Sequence, residues 1–247
     1  MKNHRNRKGR KENARKRDAI LEAALEVFAQ KGFLDATISE IAKKASVAEA
    51  TIYEYFENKE NLLFSIPEKK QKESLDLLAL QLAGVKGALN KIRKFIWFYF
   101  WVFQNNRLWS SVVLMILRPN RKFLNAPAYQ LIRVWAQEIL KIFKEGQEEG
   151  SIRKEINIFV ARNMFLGTIE HLTSRWILMD KPKDLTEFAN DTADLIVNAV
   201  KNPSRQEVYL INSAIYLTEK GAGTGEEEME RAKQANRQAR IAGTKDT

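Results

Sequence analysis

The chain of 247 residues contains no cysteine and only two histidines, His4 and His171. The absence of cysteine excludes disulfide bonds and thiolate chemistry, and it is compatible with a reducing cytoplasm, where we expect the protein to act. Two histidines offer little material for an imidazole-based catalytic or metal site. We therefore predict no metal, no cofactor and no enzymatic activity, and a lipid-converting enzyme is a minor alternative.

Helix-breaking residues are also few, and no segment shows the alternating pattern of a strand. Five prolines and eleven glycines interrupt the chain, and apolar residues make up 45% of it, which indicates a globular protein. Apolar residues recur at helical spacing through most of the sequence, so we predict an all-α fold. One predicted helix ends before Gly32, and a longer one runs from Lys59 to about Leu82 and tolerates or kinks at Pro67.

No hydrophobic run is long enough to span a membrane. Phe95 to Phe103 is a run of nine apolar residues, seven of them aromatic, and polar residues 104–107 interrupt it soon afterwards. A transmembrane helix needs about 20 apolar residues. We predict a buried helix and no membrane insertion, and a peripheral membrane protein is the alternative use of this segment.

Positive charge is concentrated at the start of the chain. Residues 1–17 carry nine Lys or Arg against Glu12 alone, a net charge of +8 out of +10 for the whole sequence. Residues 18–64 hold four Lys and nine Asp or Glu, a net charge of −5. A basic run is often only a solvated tail, but this one directly precedes the motif described next. We expect residues 1–13 to form a disordered arm that contacts DNA phosphates or the minor groove.

Residues 37–62, TISEIAKKASVAEATIYEYFENKENL, read as two short helices joined by a tight turn, followed by the start of a third. Thr37 and Glu40 have the spacing of a capping box, which fixes the start of the first helix. Ser46 stands in the turn, at a position where a positive φ is required and glycine is more comfortable. This spacing is typical of a helix-turn-helix.

The second helix of this motif has an apolar back and a polar front. Ile52 and Phe56, four residues apart, should face the core. The outward side chains are small, hydroxylated or aromatic, which suits a helix that enters the major groove of DNA. Tyrosine hydroxyls can contact phosphate oxygens, and Thr51 can reach base edges. The predicted DNA-contacting residues, two lysines of the first helix included, are Thr37, Lys43, Lys44, Ala48, Glu49, Ala50, Thr51, Tyr53, Tyr55 and Lys59.

Residues 23–63, AALEVFAQKGFLDATISEIAKKASVAEATIYEYFENKENLL, resemble the N-terminal signature of the TetR family of one-component transcriptional regulators. The positions where that family contacts DNA correspond, by this resemblance, to Thr37, Ala48, Glu49, Ala50, Thr51, Tyr53, Tyr55 and Lys59. Ser46 and Ala50 depart from it, because Gly is common at the first position and Gly or Ser at the second. TetR-like proteins pair a small DNA-binding domain with a larger helical domain that binds a small molecule and forms a homodimer, which implies a roughly palindromic operator.

Residues 161–200, ARNMFLGTIEHLTSRWILMDKPKDLTEFANDTADLIVNAV, resemble the last two helices of the fatty-acid-metabolism regulators of that family. The resemblance implies a fatty acyl-CoA or a related apolar effector that releases a repressor from DNA. A TetR-type regulator of an efflux or other system, with a different hydrophobic effector, is the alternative. Aromatic residues can line an apolar cavity or fill a solid core, and arginine can receive a phosphate. The candidate effector-binding residues are Trp97, Phe98, Trp101, Arg118, Trp135, Phe165 and His171.

In the family the same two helices pack against their mates from a second subunit. The resemblance implies that the apolar positions around this four-helix interface are Ile169, Leu172, Ile177, Phe188, Leu195, Ile196 and Ala199. For the domains we expect a DNA-binding unit in residues 14–64, with the helix-turn-helix at 37–56, and an effector-binding and dimerisation unit in residues 65–203. Residues 204–247 are expected to form a helix followed by a flexible or solvated tail.

Overall fold

The computed structural model describes the backbone of residues 2–203 and the side chains of residues 12–203. These residues form helices and no strand, which confirms the predicted all-α fold. The helix and tail expected in residues 204–247 lie outside the described part of the chain.

The chain begins with four helices, α1 (Lys2–Asp35), α2 (Ile38–Ala45), α3 (Glu49–Tyr55) and α4 (Lys59–Ser65). Helix α1 starts at Lys2, so it runs through the segment that was expected to be a disordered arm. That segment contains no proline and is rich in Lys and Arg, which are good helix formers. The helical backbone breaks at Gly32, where φ is 75°, close to the predicted stop.

The helix predicted from Lys59 to about Leu82 is divided in two. Helix α4 ends at Ser65 and α5 (Pro67–Leu82) begins two residues later. Proline has no backbone N–H and is well suited to the first position of a helix, so Pro67 starts a new helix rather than kinking the old one. Ile66 is the joint between the reading head, as we call the unit α1–α4, and the helical body.

The body surrounds the long aromatic helix α6. Its elements are α6 (Ala88–Asn105), α7 (Arg107–Ser111), a π-helix (Val112–Leu117), a 3-10 helix (Arg121–Asn125), α8 (Pro127–Glu148), α9 (Ile158–Met179), a second 3-10 helix (Leu185–Phe188) and α10 (Ala189–Val200). Helix α6 packs against α5, α8, α9 and α10. Only Trp97 and Trp101 in the run Phe95 to Phe103 are half-buried, and its other side chains are buried. No helix in the described residues is both long and apolar enough for a bilayer span.

Candidate DNA-reading surface and effector cavity

A capping box fixes the start of α2, as the sequence predicts. The Thr37 hydroxyl accepts a hydrogen bond from the Glu40 backbone N–H at 3.2 Å, and the Glu40 carboxylate accepts one from the Thr37 N–H at 3.2 Å. Lys31 of α1 donates to the same carboxylate. The hydrogen bonds from Lys31 and from the Thr37 backbone hold the pKa of Glu40 below its ordinary value. These contacts tie α2 to α1 and orient the helix-turn-helix.

The turn between α2 and α3 passes through Ser46 in the left-handed conformation. Its φ is 55° and its ψ is 43°, which confirms the positive φ predicted for this position. The backbone N–H of Val47 donates to the carbonyl of Ala42 at 3.0 Å and closes the end of α2. The C-terminal cap of α2 is therefore a residue in the left-handed conformation that is not glycine.

Helix α3 presents the predicted faces. Ile52 and Phe56 are buried against the head, while Glu49, Ala50 and Tyr53 are exposed. None of the candidate DNA-contacting residues is buried. The front of α3 is therefore available to a groove of DNA.

Several of the candidate residues already have partners inside the head. Lys44 pairs with Glu26 at 2.6 Å, and the Tyr55 hydroxyl donates to Asn13 at 3.3 Å. The ammonium of Lys59 donates to the carbonyl of Ala36 at 2.8 Å and lies 4.6 Å from the centre of the Phe33 ring. These three side chains therefore hold α2, α3 and α4 in position within the head.

Lys43 and Tyr53 are the candidates most free to reach DNA. Both are exposed, and neither side chain makes a hydrogen bond or ion pair with the residues that the structure describes. An ammonium and a phenol hydroxyl are both suitable donors to phosphate oxygens.

The body contains a small cavity enclosed by α5, α6, the π-helix, α8 and α9. Its volume is about 80 Å³. The apolar part of its wall consists of Phe103, Val113, Leu114, Ile132, Trp135, Ala136 and Leu166. The polar part consists of Gln71, Tyr99, Arg118, Tyr129, Arg133 and Glu170. Pockets that hold drug-sized ligands measure about 300–1,000 Å³, so a long ligand must push side chains apart to enter.

The polar groups of this cavity differ in their partners. Arg118 donates to Glu170 of α9, which joins the end of the π-helix to α9. Arg133 is exposed and donates to Gln130 at 3.1 Å. Burial raises the pKa of the Tyr99 hydroxyl, which therefore stays protonated at neutral pH. The Nε1 atom of Trp135 is buried and has no hydrogen-bond partner among the described residues.

The structure brings only part of the predicted effector site together. Arg118 and Trp135 line the cavity, while Phe98 stacks on Trp135 from outside the lining, with 6.1 Å between ring centres. Phe165 lies behind the wall against Phe95.

Three of the predicted effector residues lie away from this cavity. Trp97 and Trp101 stack on each other, with 6.3 Å between ring centres, and do not line it. His171 is exposed on α9, which differs from the expectation of a cavity-lining histidine. The histidine follows Glu170 directly, and adjacent residues of a helix point about 100° apart, so only one of the two faces the cavity.

Four polar residues that line the cavity were not predicted from the sequence, namely Gln71, Tyr99, Tyr129 and Arg133. The spacing of some lining residues could have indicated a shared surface. Tyr99 and Phe103 are four residues apart, as are Leu166 and Glu170, so each pair shares a helix face. Gln71 gives no such signal, since a glutamine in a polar stretch of α5 is not expected to be buried.

The expected dimer residues divide between the core and the surface. Ile169 and Ile196 are buried inside the subunit, and Leu172, Ile177 and Phe188 are half-buried, whereas Leu195 and Ala199 are exposed. Helix α9 also exposes large apolar side chains that the sequence did not single out. They are Phe159, Val160, Met164, Leu178 and Met179.

Packing contacts connect the cavity to the reading head. The Tyr129 ring of the cavity wall lies 5.8 Å from the ring centre of Phe123, and Phe123 lies 5.4 Å from Phe64 of α4. The π-helix, which contributes Val113 and Leu114 to the wall, packs against α1. A change in the cavity wall can therefore reach both α1 and α4.

Comparison with known proteins agrees with this architecture. The profile of the bacterial regulatory proteins of the tetR family matches residues 20–66, and the profile of the C-terminal region of YsiA-like protein matches residues 68–199. The fatty acid metabolism regulator protein of Bacillus subtilis is 28% identical over 183 residues, which are 74% of this chain and 94% of the relative. The HTH-type transcriptional repressor NicS of Pseudomonas putida is 30% identical over 181 residues, 67% of this chain and 82% of the relative.

A solved structure of a transcriptional regulator is also similar to this chain. The crystal structure of the transcriptional regulator FadR from Bacillus subtilis in complex with stearoyl-CoA has a TM-score of 0.68 at 28% identity, and the match covers 72% of this chain and 96% of that one. Since the second profile alone spans more than half of the 247 residues, the predicted family is confirmed. The chain belongs to the TetR family and is a DNA-binding transcriptional regulator.

Proposed function

We propose that this regulator is a homodimeric repressor that binds a roughly palindromic operator and is released by a fatty acyl-CoA or a similar long apolar effector. The observation that carries the proposal is the cavity, whose lining combines apolar side chains with two arginines and has packing contacts that lead to the reading head. The similarity to a FadR structure in complex with stearoyl-CoA supports the class of effector.

The DNA side of the proposal uses the exposed front of α3. Tyr53 and Thr51 would meet the major groove, with Lys43 at the phosphates. Because residues 18–64 carry a net charge of −5, that part of the head attracts DNA weakly by itself, and the +8 of residues 1–17 would supply much of the affinity for phosphate. A second subunit doubles these contacts. The regulator would act in the cytoplasm, where the chromosome lies.

Binding of the proposed effector requires the cavity to expand. An acyl chain that enters beside Val113 and Leu114 must displace the wall, because the existing volume is only about 80 Å³. Arg133 at the rim would contact the phosphates of the effector. Movement of the π-helix and of Tyr129 would shift α1 and α4 and change the spacing of the two reading heads. A coupling free energy of about 1–3 kcal/mol accounts for release of the operator.

The small cavity also favours one alternative. A compact hydrophobic effector, such as a substrate of an efflux system, needs less expansion than an acyl chain does. The regulator would then use the same contacts to the reading head with a different ligand.

Native mass spectrometry of the freshly purified full chain tests the effector class. We expect an added mass that corresponds to a long-chain acyl-CoA, or its appearance when hexadecanoyl-CoA is added, because the cavity wall is mostly apolar. A smaller hydrophobic ligand would support the alternative. Failure to bind acyl-CoA of any chain length would contradict the proposal.

A further inference from the structure

Two of the three charged residues that line the cavity, Arg118 and Glu170, neutralise each other, while the third, Arg133, is exposed. Arg118 and Glu170 form an ion pair, and their side chains are only 31% and 25% exposed. Both residues line the cavity, so a ligand head group that enters meets a positive and a negative charge together. The pair is a feature of the binding site itself.

A ligand carboxylate is poorly accommodated beside this pair. It would have to compete with Glu170 for Arg118 and then lie next to the displaced negative charge. Like charges repel each other more strongly in a partly buried site than they do in bulk water. A free fatty acid therefore meets an electrostatic barrier.

An uncharged carbonyl meets no such barrier. The guanidinium of Arg118 carries five N–H donors, so it can donate to a carbonyl oxygen while it keeps Glu170 as its partner. Trp135, another lining residue, has a buried Nε1–H that lacks an acceptor among the described residues. An unpaired buried donor is unfavourable, and a ligand carbonyl within reach of it would supply the missing acceptor.

We propose that Glu170 is a specificity-determining residue, which excludes apolar ligands with a free carboxylate and admits acyl derivatives with an uncharged carbonyl. The chemical class admitted comprises thioesters and amides of long acyl chains. This inference rests on the proposed function, in which the cavity holds an acyl ligand.

Isothermal titration of the full chain with two probes of equal chain length tests the role of Glu170. The probes are dodecanoate and S-dodecanoyl-N-acetylcysteamine, a neutral thioester that carries no phosphate. The native protein should prefer the thioester. Glu170→Gln should strengthen the binding of dodecanoate about tenfold or more and change the binding of the thioester less than about threefold, because glutamine still accepts a hydrogen bond from Arg118 but carries no charge.

Two further variants separate charge from structure. Glu170→Asp keeps the negative charge and should keep the preference for the thioester. Glu138→Gln, which removes a glutamate of α8 that pairs with Lys141 at 2.6 Å outside the cavity lining, should leave both affinities unchanged. If the native protein binds the thioester and Glu170→Gln leaves the ratio of the two affinities unchanged, the role of Glu170 is refuted while the acyl effector stands. If neither probe binds, the proposed acyl effector and the role of Glu170 both fail.

Discussion

Ser46 closes α2 with a left-handed backbone, φ 55° and ψ 43°. That conformation costs a residue with a Cβ atom about 1–2 kcal/mol, and glycine adopts it freely. Replacing Ser46 by glycine would remove that cost, but part of the gain in stability is offset because glycine is more flexible in the unfolded chain. The Ser46 side chain is exposed, so its removal loses no packing.

Ser46→Gly should therefore raise the free energy of unfolding by about 0.5–1 kcal/mol, measured by urea denaturation. Ser39→Gly is the matched control, because Ser39 is exposed inside α2 and has helical backbone angles. This control should be destabilising by about 0.5–1 kcal/mol. A loss of stability in Ser46→Gly would contradict our reading of the turn.

Local chemistry explains which single residues the sequence predicts well. The Thr37 and Glu40 cap and the positive φ of Ser46 depend on neighbours within four residues, and both predictions are confirmed. The environment of His171 depends on how α9 packs. No pattern around it in the sequence says which side of α9 faces the cavity.

At the scale of elements, α9 illustrates what the sequence leaves undetermined. Its apolar side chains point both inward, as Phe165 and Ile169 do, and outward, as Val160 and Met164 do. A helix that is apolar on several faces has no single stripe to define its buried side. The sequence therefore predicts that α9 is a helix, but it does not predict that Ile169 lies in the subunit core.

The π-helix from Val112 to Leu117 was not predicted either. Its six residues follow the same apolar pattern as an α-helix, and the difference lies in the backbone hydrogen bonds, such as the one from the Arg118 N–H to the Val113 carbonyl at 2.9 Å. Such helices are frequent at functional sites. This one forms cavity wall on one side and packs against α1 on another.

The aromatic contacts through Phe123 give a prediction for the coupling between elements. Phe123→Leu removes the ring that contacts both Tyr129 and Phe64, so hexadecanoyl-CoA should release less operator from this variant. We expect operator affinity without effector to stay within about threefold of the native value, since a coupling free energy is separate from the affinity itself. Fluorescence anisotropy with and without effector measures both quantities.

Phe143→Leu is the control for the loss of a buried ring. Phe143 is also fully buried and contacts Phe165, but it lies outside the contacts that reach α4. Both variants should lose stability by about 0.5–3 kcal/mol. An equal loss of effector response in the two variants would show that the Phe123 contacts carry no special coupling.

At the scale of the whole molecule, the exposed apolar face of α9 and α10 is the basis for the proposed dimer. Leu195 is 75% exposed in the subunit and lies on one of the two helices assigned to the proposed dimer. Leu195→Lys should place a charge in that interface, shift the protein toward monomer in analytical ultracentrifugation and weaken operator binding. Leu80→Lys, at a residue of α5 that is 70% exposed, should leave the dimer intact. If Leu195→Lys remains a dimer, the interface does not include Leu195.

Under the proposed function, an acyl effector controls the DNA affinity of this regulator. The most direct measurement first selects an operator from random duplex DNA with the native full chain. The dissociation constant is then measured at fixed salt, with and without saturating hexadecanoyl-CoA. We expect hexadecanoyl-CoA to weaken binding about 5- to 150-fold. An affinity that no acyl-CoA of any chain length changes would contradict it.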